Sequence, residues 1–258
     1  MADTGAPRAP RILISNDDGI QAPGIGVLEE IARQLSDDVW VVAPEVEQSG
    51  ASHSLTIHRP LRLRQLDPQR FAVDGTPTDS VLLAINHVMK DRRPDLVLSG
   101  VNGGSNIGED VTYSGTIAAA MEATLLGVRA VALSQHLAGR PPDWSTALRW
   151  GPEVVRRLLT ASWSRNVLMN VNFPAVGPDE VSGIQVVRHG KRKIGDDLHE
   201  RVDPRGRAYF WIGTLRGEED VRQDTDVGVV LNGGISVTPL QLDLTHYPTL
   251  EPLGELFR

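Results

Sequence analysis

The sequence predicts an α/β fold, with a mostly parallel sheet covered by helices on both faces. Three observations predict it. Short apolar runs without polar alternation recur along the chain, as expected for strands buried on both faces. Stretches with helical spacing of apolar residues lie between them. Nearly every run stops on a cluster of Gly, Pro, Asn or Asp, the residues that turn a chain. Regular alternation of strand and helix is the signature of a parallel sheet built from crossover units.

In order, Arg11–Ser15 (RILIS) is the first buried strand, and it ends on Asn16-Asp17-Asp18-Gly19. After a Pro23-Gly24 loop, Ile25, Leu28, Ile31 and Leu35 carry helical spacing. Val39–Ala43 (VWVVA) is the second strand, closed by Pro44 and followed by the polar loop PEVEQSGASHS. Pro60–Leu66 alternates and pairs as a hairpin with Phe71–Val73. Asp74-Gly75-Thr76-Pro77 enters a helix whose apolar face is Val81–Met89, with Thr76 or Asp74 near the cap. Asp95–Ser99 is a strand running into the glycine-rich segment GVNGGSNIGEDVTYSGT, and Ile117–Leu126 is the helix after it. Ala130–Ser134 and Val167–Val171 are strands flanking a helix over Trp144–Leu159. After Val176 the character changes. Ile184–Arg188 and Ala208–Ile212 read as strands in a charged setting, separated by a long polar loop, and Gly234–Leu240 returns to a buried-strand pattern. The expected division is a core over 1–183, a projecting arm for self-association over 184–233, and a strand and tail over 234–258.

The totals exclude several classes. A chain of 258 residues with 40% hydrophobic and 23% charged residues has the make-up of a globular domain. A net charge of −7 argues against polymeric nucleic acid as a partner. With no cysteine there is no disulfide and no thiolate metal site, which suits a reducing cytoplasm. No apolar run is long enough to span a bilayer, and Met1–Pro10 has no signal-peptide core, so no membrane partner is expected.

The chemistry gathers at the carboxyl ends of the strands, where ligands sit in open α/β sheets. Asp17 and Asp18 are adjacent carboxylates that repel unless a cation or hydrogen bonds offset them; the plain alternative is a helix cap with a solvated neighbour. Ser49 with Gly50, and Asn102, lie in loops expected at the same edge. Two carboxylates, a hydroxyl and an amide oxygen are hard ligands that suit Mg²⁺ or Mn²⁺. Ser114-Gly115-Thr116 opens a helix, a natural phosphate seat, though capping explains it equally well. Neighbouring motifs fail. Glu109-Asp110 stands where a Walker A loop needs Lys-Ser/Thr, the GxGxxG pattern is absent, and Ala72 occupies the nucleophile position that the DGT of haloacid-dehalogenase phosphatases requires. The seven histidines show no metal-ligand spacing; His53, in the Ser49 loop, is the one to watch as a proton donor. Lys191, Arg192 and Lys193 form a basic cluster whose default is solvated surface. A divalent cation beside a phosphate seat implies metal-assisted phosphoester hydrolysis, with Asp17 and Asp18 as the catalytic candidates. A metal-dependent phosphotransferase and a non-catalytic nucleotide sensor are the rivals.

The segments ISNDDGIQAPGI, VVAPEVEQSGASHSLT, DGTPTDS, SGVNGGSNIGEDVTYSGTIAAAMEA, NVNFP and GGISVTPLQLDLT resemble the SurE family of stationary-phase survival proteins and 5′/3′-nucleotidases. The resemblance covers nearly the whole chain. It implies a Rossmann-like core and a cytoplasmic phosphatase of nucleoside monophosphates that also takes short polyphosphate. It further implies one divalent cation, Mn²⁺ or Mg²⁺, on Asp17, Asp18, Ser49 and Asn102, and phosphate contacts from Asn106, Ser114, Gly115 and Thr116. Projecting C-terminal arms would assemble a homodimer or homotetramer. Two positions depart from the family pattern: Gln48 stands where a basic residue is frequent, and Ser80 where Cys is.

Overall fold

The computed structural model describes residues 9–192, 198–213 and 221–258. Its centre is a nine-stranded sheet that contains β1 (Ile12–Ser15), β2 (Val39–Pro44), β3 (Leu63–Asp67), β4 (Arg70–Val73), β5 (Leu96–Gly103), β6 (Arg129–Gln135), β7 (Val167–Phe173), β8 (Ile184–Val186) and β11 (Ile235–Gln241). The spatial order is β3-β4-β2-β1-β5-β6-β7-β11-β8. Pairings from β4 through β7 are parallel, whereas β3 on β4 and β11 on β7 are antiparallel.

Residue alternation in the buried strands builds two cores. Ile12, Ile14, Leu96, Leu98, Val131 and Leu133 face one layer, which holds α1 (Pro23–Arg33) and α4 (Ser145–Thr160). Leu13, Val97, Ala130 and Ala132 face the other, with α2 (Pro77–Leu83) and α3 (Gly115–Leu125). Successive side chains of a strand point to opposite faces, so an all-apolar strand requires cover on both. The alternating Leu63–Asp67 strand is correspondingly an edge strand with mixed exposure.

The predicted elements recur with shifted ends. Thr76 caps α2 in a reciprocal capping box with Asp79, and a π-helical turn over Ala84–Val88 follows. Strand β5 runs past Ser99 to Gly103, with a register shift against β6 between Ser99 and Asn102. Asn102 therefore sits on a strand end and not in a loop.

The polar stretch expected as one long loop contains β9 (Leu198–Val202), which pairs antiparallel with β10 (Ala208–Ile212) as a separate two-stranded sheet. Its sequence LHERV has too few apolar residues to reveal a strand, and cross-strand hydrogen bonding supplies the order instead. Strand β8, in the stretch expected as arm, pairs with β11 and belongs to the main sheet. Helices α5 (Asp226–Leu231) and α6 (Tyr247–Leu256) had no counterpart in the sequence reading. Among the described residues, no helix is long and apolar enough to cross a membrane.

Candidate metal centre

Strand β1 has β2 on one side and β5 on the other. The chain leaves β1 in one direction first and fills the other side later, so a crevice opens at the carboxyl ends of β1 and β5. Asp17 and Asp18 follow β1 at that crevice. The Asn16 amide donates to the Gly19 carbonyl at 2.9 Å and closes the turn, and Gly19 adopts φ +100°, a conformation open to glycine at little cost.

Asp17 is 5% exposed. Its Oδ1 accepts the Thr116 hydroxyl at 2.5 Å, and its carboxylate also accepts backbone N–H groups of Gly115 and Thr116. The start of α3 is thus matched to negative charge, and Asp17 is the group it holds. A Cβ on Gly115 would lie 2.6 Å from the Asp17 Cβ, so only glycine permits this approach. Burial raises the Asp17 pKa, and these hydrogen bonds oppose the rise without cancelling it. Asp18 is raised to about 6, first by burial and then by the charge of Asp17, with a smaller push from Glu47; a hydrogen bond from the Gly103 N–H opposes these.

The Ser49 loop and the end of β5 touch the doublet through residues next to the predicted ligands. The Gln48 N–H donates to the Asp17 carbonyl at 2.8 Å, one residue before Ser49. Gly103, which donates to Asp18, follows Asn102. The Asn102 amide nitrogen donates to the Gly104 carbonyl at 2.7 Å, so the side-chain oxygen is the atom left to serve as a ligand. The Ser49 hydroxyl donates to Glu47 Oε1 at 2.8 Å, which leaves its lone pairs as donors to a cation. Among the described residues, no group of three or more His, Cys, Asp or Glu side chains could hold a metal. A cation at the doublet would therefore be completed by neutral oxygens. Two carboxylates whose shared charge raises the pKa of Asp18, with hard neutral donors beside them, fit a divalent cation.

The phosphate candidates divide. Ser114 is the N-cap of α3, its Oγ accepting the Ile117 N–H at 3.1 Å, so the capping alternative holds there. Asn106 is buried in an amide network. Its side-chain nitrogen donates to Ser134 Oγ at 2.8 Å, its N–H to Asn172 Oδ1 at 2.8 Å, and its carbonyl accepts from Asn170 at 2.7 Å. These bonds fix the glycine-rich loop over the ends of β6 and β7.

His53 Nε2 lies 3.0 Å from the Glu122 carboxylate on α3, and Glu122 is 7% exposed. The expectation of a solvated basic cluster fails at Arg192. It is buried, pairs with buried Asp110 at 3.7 Å, and its N–H donates to the Glu109 carboxylate. Of the two acids that rule out a Walker loop, Asp110 supplies its counter-charge and Glu109 holds its backbone. Lys191 is exposed, and Lys193 lies outside the described residues. Sequence reasoning missed Thr116 as a partner of Asp17, Glu47 as a partner of Ser49, and Glu122. In each case the two residues meet only through the fold, or through a loop conformation that spacing does not reveal.

Comparison with known proteins gives the family of the chain. A family model described as "Survival protein SurE" matches residues 12–196. The chain is 62% identical over 252 residues to the 5′-nucleotidase SurE of Paramagnetospirillum magneticum, covering 97% of each chain. It is 55% identical to that of Rhodospirillum rubrum, covering 96% of each. The crystal structure of the SurE protein from Aquifex aeolicus superposes with a TM-score of 0.84 at 39% identity, covering 96% of this chain and 100% of that one. By sequence across nearly its whole length, and by the fold of its sheet, the chain belongs to the SurE family.

Proposed function

We infer that the chain is a 5′-nucleotidase, a hydrolase that releases phosphate from nucleoside monophosphates. Two things support this reading: near-full-length identity to curated 5′-nucleotidases, and the Asp17–Asp18 doublet lying against the first turn of α3. The second is the observation that carries the chemistry, because it joins a place for a cation to a place for a phosphate.

On this reading Asp17, Asp18, Ser49 and Asn102 hold one divalent cation, Mn²⁺ or Mg²⁺, and Asn106, Ser114, Gly115 and Thr116 contact the phosphate. When bound, the cation neutralises charge on the phosphoryl oxygens and acidifies water. The residues of the chain do the rest. Thr116 and the Gly115 and Thr116 N–H groups fix Asp17 in one orientation. Asp17 or Asp18, held at the cation, orients the attacking water. With those N–H groups taken by Asp17, the positive end of the α3 dipole favours charge that builds on the phosphate. Since these contacts go to phosphate and not to a base, nucleoside 3′-monophosphates and short polyphosphate fall within the same chemistry.

Self-association is part of the proposal. Leu198, Val202, Phe210, Trp211 and Ile212 on the β9–β10 hairpin are all more than 60% exposed, and a surface of that kind marks an interaction site. A second copy of the chain is its proposed partner, in a homodimer or homotetramer.

The test is release of inorganic phosphate from a panel of nucleoside monophosphates with Mn²⁺ or Mg²⁺, and with EDTA. Phosphate released only with metal, and lost by orders of magnitude in Asp18→Asn, is the expected result. Metal-independent release, or an Asp18→Asn variant with normal turnover, rejects the assignment.

A further inference from the structure

Ser49 can ligate a cation only if its proton points elsewhere. A hydroxyl has one O–H and two lone pairs, and an O–H aimed at an ion opposes binding. Here the proton is accounted for, because Ser49 Oγ donates to Glu47 Oε1 at 2.8 Å. The loop that carries both residues is seated on the acidic turn by backbone contacts. The Gln48 N–H donates to the Asp17 carbonyl at 2.8 Å, and the Ala51 N–H returns to the Gln48 carbonyl at 3.0 Å. Gly19 abuts the same loop, since a Cβ built on it would lie 3.3 Å from the Val46 carbonyl carbon.

The charge of Glu47 remains available to the site. Its neighbour Glu45 is matched by Arg64 at 2.5 Å. Among the described residues Glu47 forms no ion pair with a basic side chain, and Gln48 beside it is neutral. Glu47 is exposed, so it has no core to support and replacing it should not disturb packing.

We propose that Glu47 is a positioning residue of the cation site: by accepting the Ser49 proton it turns the hydroxyl lone pairs toward the Asp17–Asp18 doublet, and it adds a third negative charge beside the ion. The inference rests on the assignment of a cation to the doublet. Groups that orient a ligand in this way typically change metal affinity by about 10–100-fold when removed.

The test is calorimetric titration of the full chain with Mn²⁺. Glu47→Ala is expected to weaken binding by about tenfold or more. Glu47→Gln keeps an acceptor for the Ser49 proton but loses the charge, and is expected to fall between wild type and Glu47→Ala. In a Ser49→Ala background the proton has gone, so Glu47→Ala and Glu47→Gln should weaken Mn²⁺ binding equally. That collapse in a double-mutant cycle is what a general charge effect or a folding defect would not produce. Wild-type affinity in Glu47→Ala, or the same loss with and without Ser49, overturns the role of Glu47 and leaves the cation assignment standing. Failure of the wild-type chain to bind Mn²⁺ overturns the cation assignment and this inference with it.

Discussion

The Thr116 hydroxyl donates to the Asp17 carboxylate at 2.5 Å, joining residues 99 positions apart. One bond thereby links the end of β1 to the first turn of α3. Both groups are buried, so the contact is shielded from water and sets the distance between the carboxylate doublet and the helix start.

Thr116→Val keeps the shape of the side chain and removes the donor. Asp17 then keeps its burial with one hydrogen bond fewer, and its pKa should rise further. The expected loss is about 1–3 kcal/mol of stability, the cost of leaving a buried polar group short of a partner. Equilibrium urea unfolding measures it, and an unchanged midpoint with an unchanged slope would contradict the expectation.

Gly115→Ala tests the close approach. The new methyl would stand 2.6 Å from the Asp17 Cβ and 2.9 Å from its Oδ2, so either the turn or the helix must move. A helix interior ordinarily gains about 1 kcal/mol from replacing Gly by Ala; here the sign should reverse, with loss of phosphate release. An Ala variant more stable than wild type and fully active would show that the approach is not needed.

Asp18 makes a pH prediction. Its folded pKa of about 6 lies above the ordinary value of 3.8, so between those values the folded state holds more protons than the unfolded state. Stability of the metal-free protein from this group should therefore fall as pH rises from about 4 to about 6, and stay level above. Asp17, whose pKa is also raised, acts in the same direction, whereas Asp38 acts the opposite way. Although burial pushes Asp38 upward, hydrogen bonds from Arg11 and Trp40 and the charges of Arg11 and Arg92 hold it low. Its contribution is lost as pH falls. The difference between wild type and Asp18→Asn in EDTA isolates the first effect, and a difference that does not change with pH would refute it.

The His53–Glu122 pair ties the Ser49 loop to α3, helped by Ser52 Oγ, which donates to the Thr112 carbonyl at 2.8 Å. His53→Ala strands a buried carboxylate, and about 1–3 kcal/mol of destabilisation is expected. His53→Gln, which can still donate to Glu122, should recover part of it. Equal losses in both variants, measured by thermal and urea unfolding, would argue against the hydrogen bond.

Much of this molecule was legible in the sequence because strands such as Arg11–Ser15 and Asp95–Ser99 are apolar on both faces. That pattern has few solutions other than a covered parallel sheet, and it places their terminal Asp, Asn and Gly residues at one edge. The motifs at that edge also carried the family resemblance. Tertiary structure alone decided the partners. Asp17 meets Thr116, His53 meets Glu122, and Arg192 is buried against Asp110 because the crossover units bring distant turns together, and no local spacing encodes such meetings. The same holds for β9: its strand exists through pairing with β10, not through a pattern of its own. Sequence periodicity sets which face of an element is apolar, whereas hydrogen bonds between elements depend on a register and an approach that exist only once the sheet has closed.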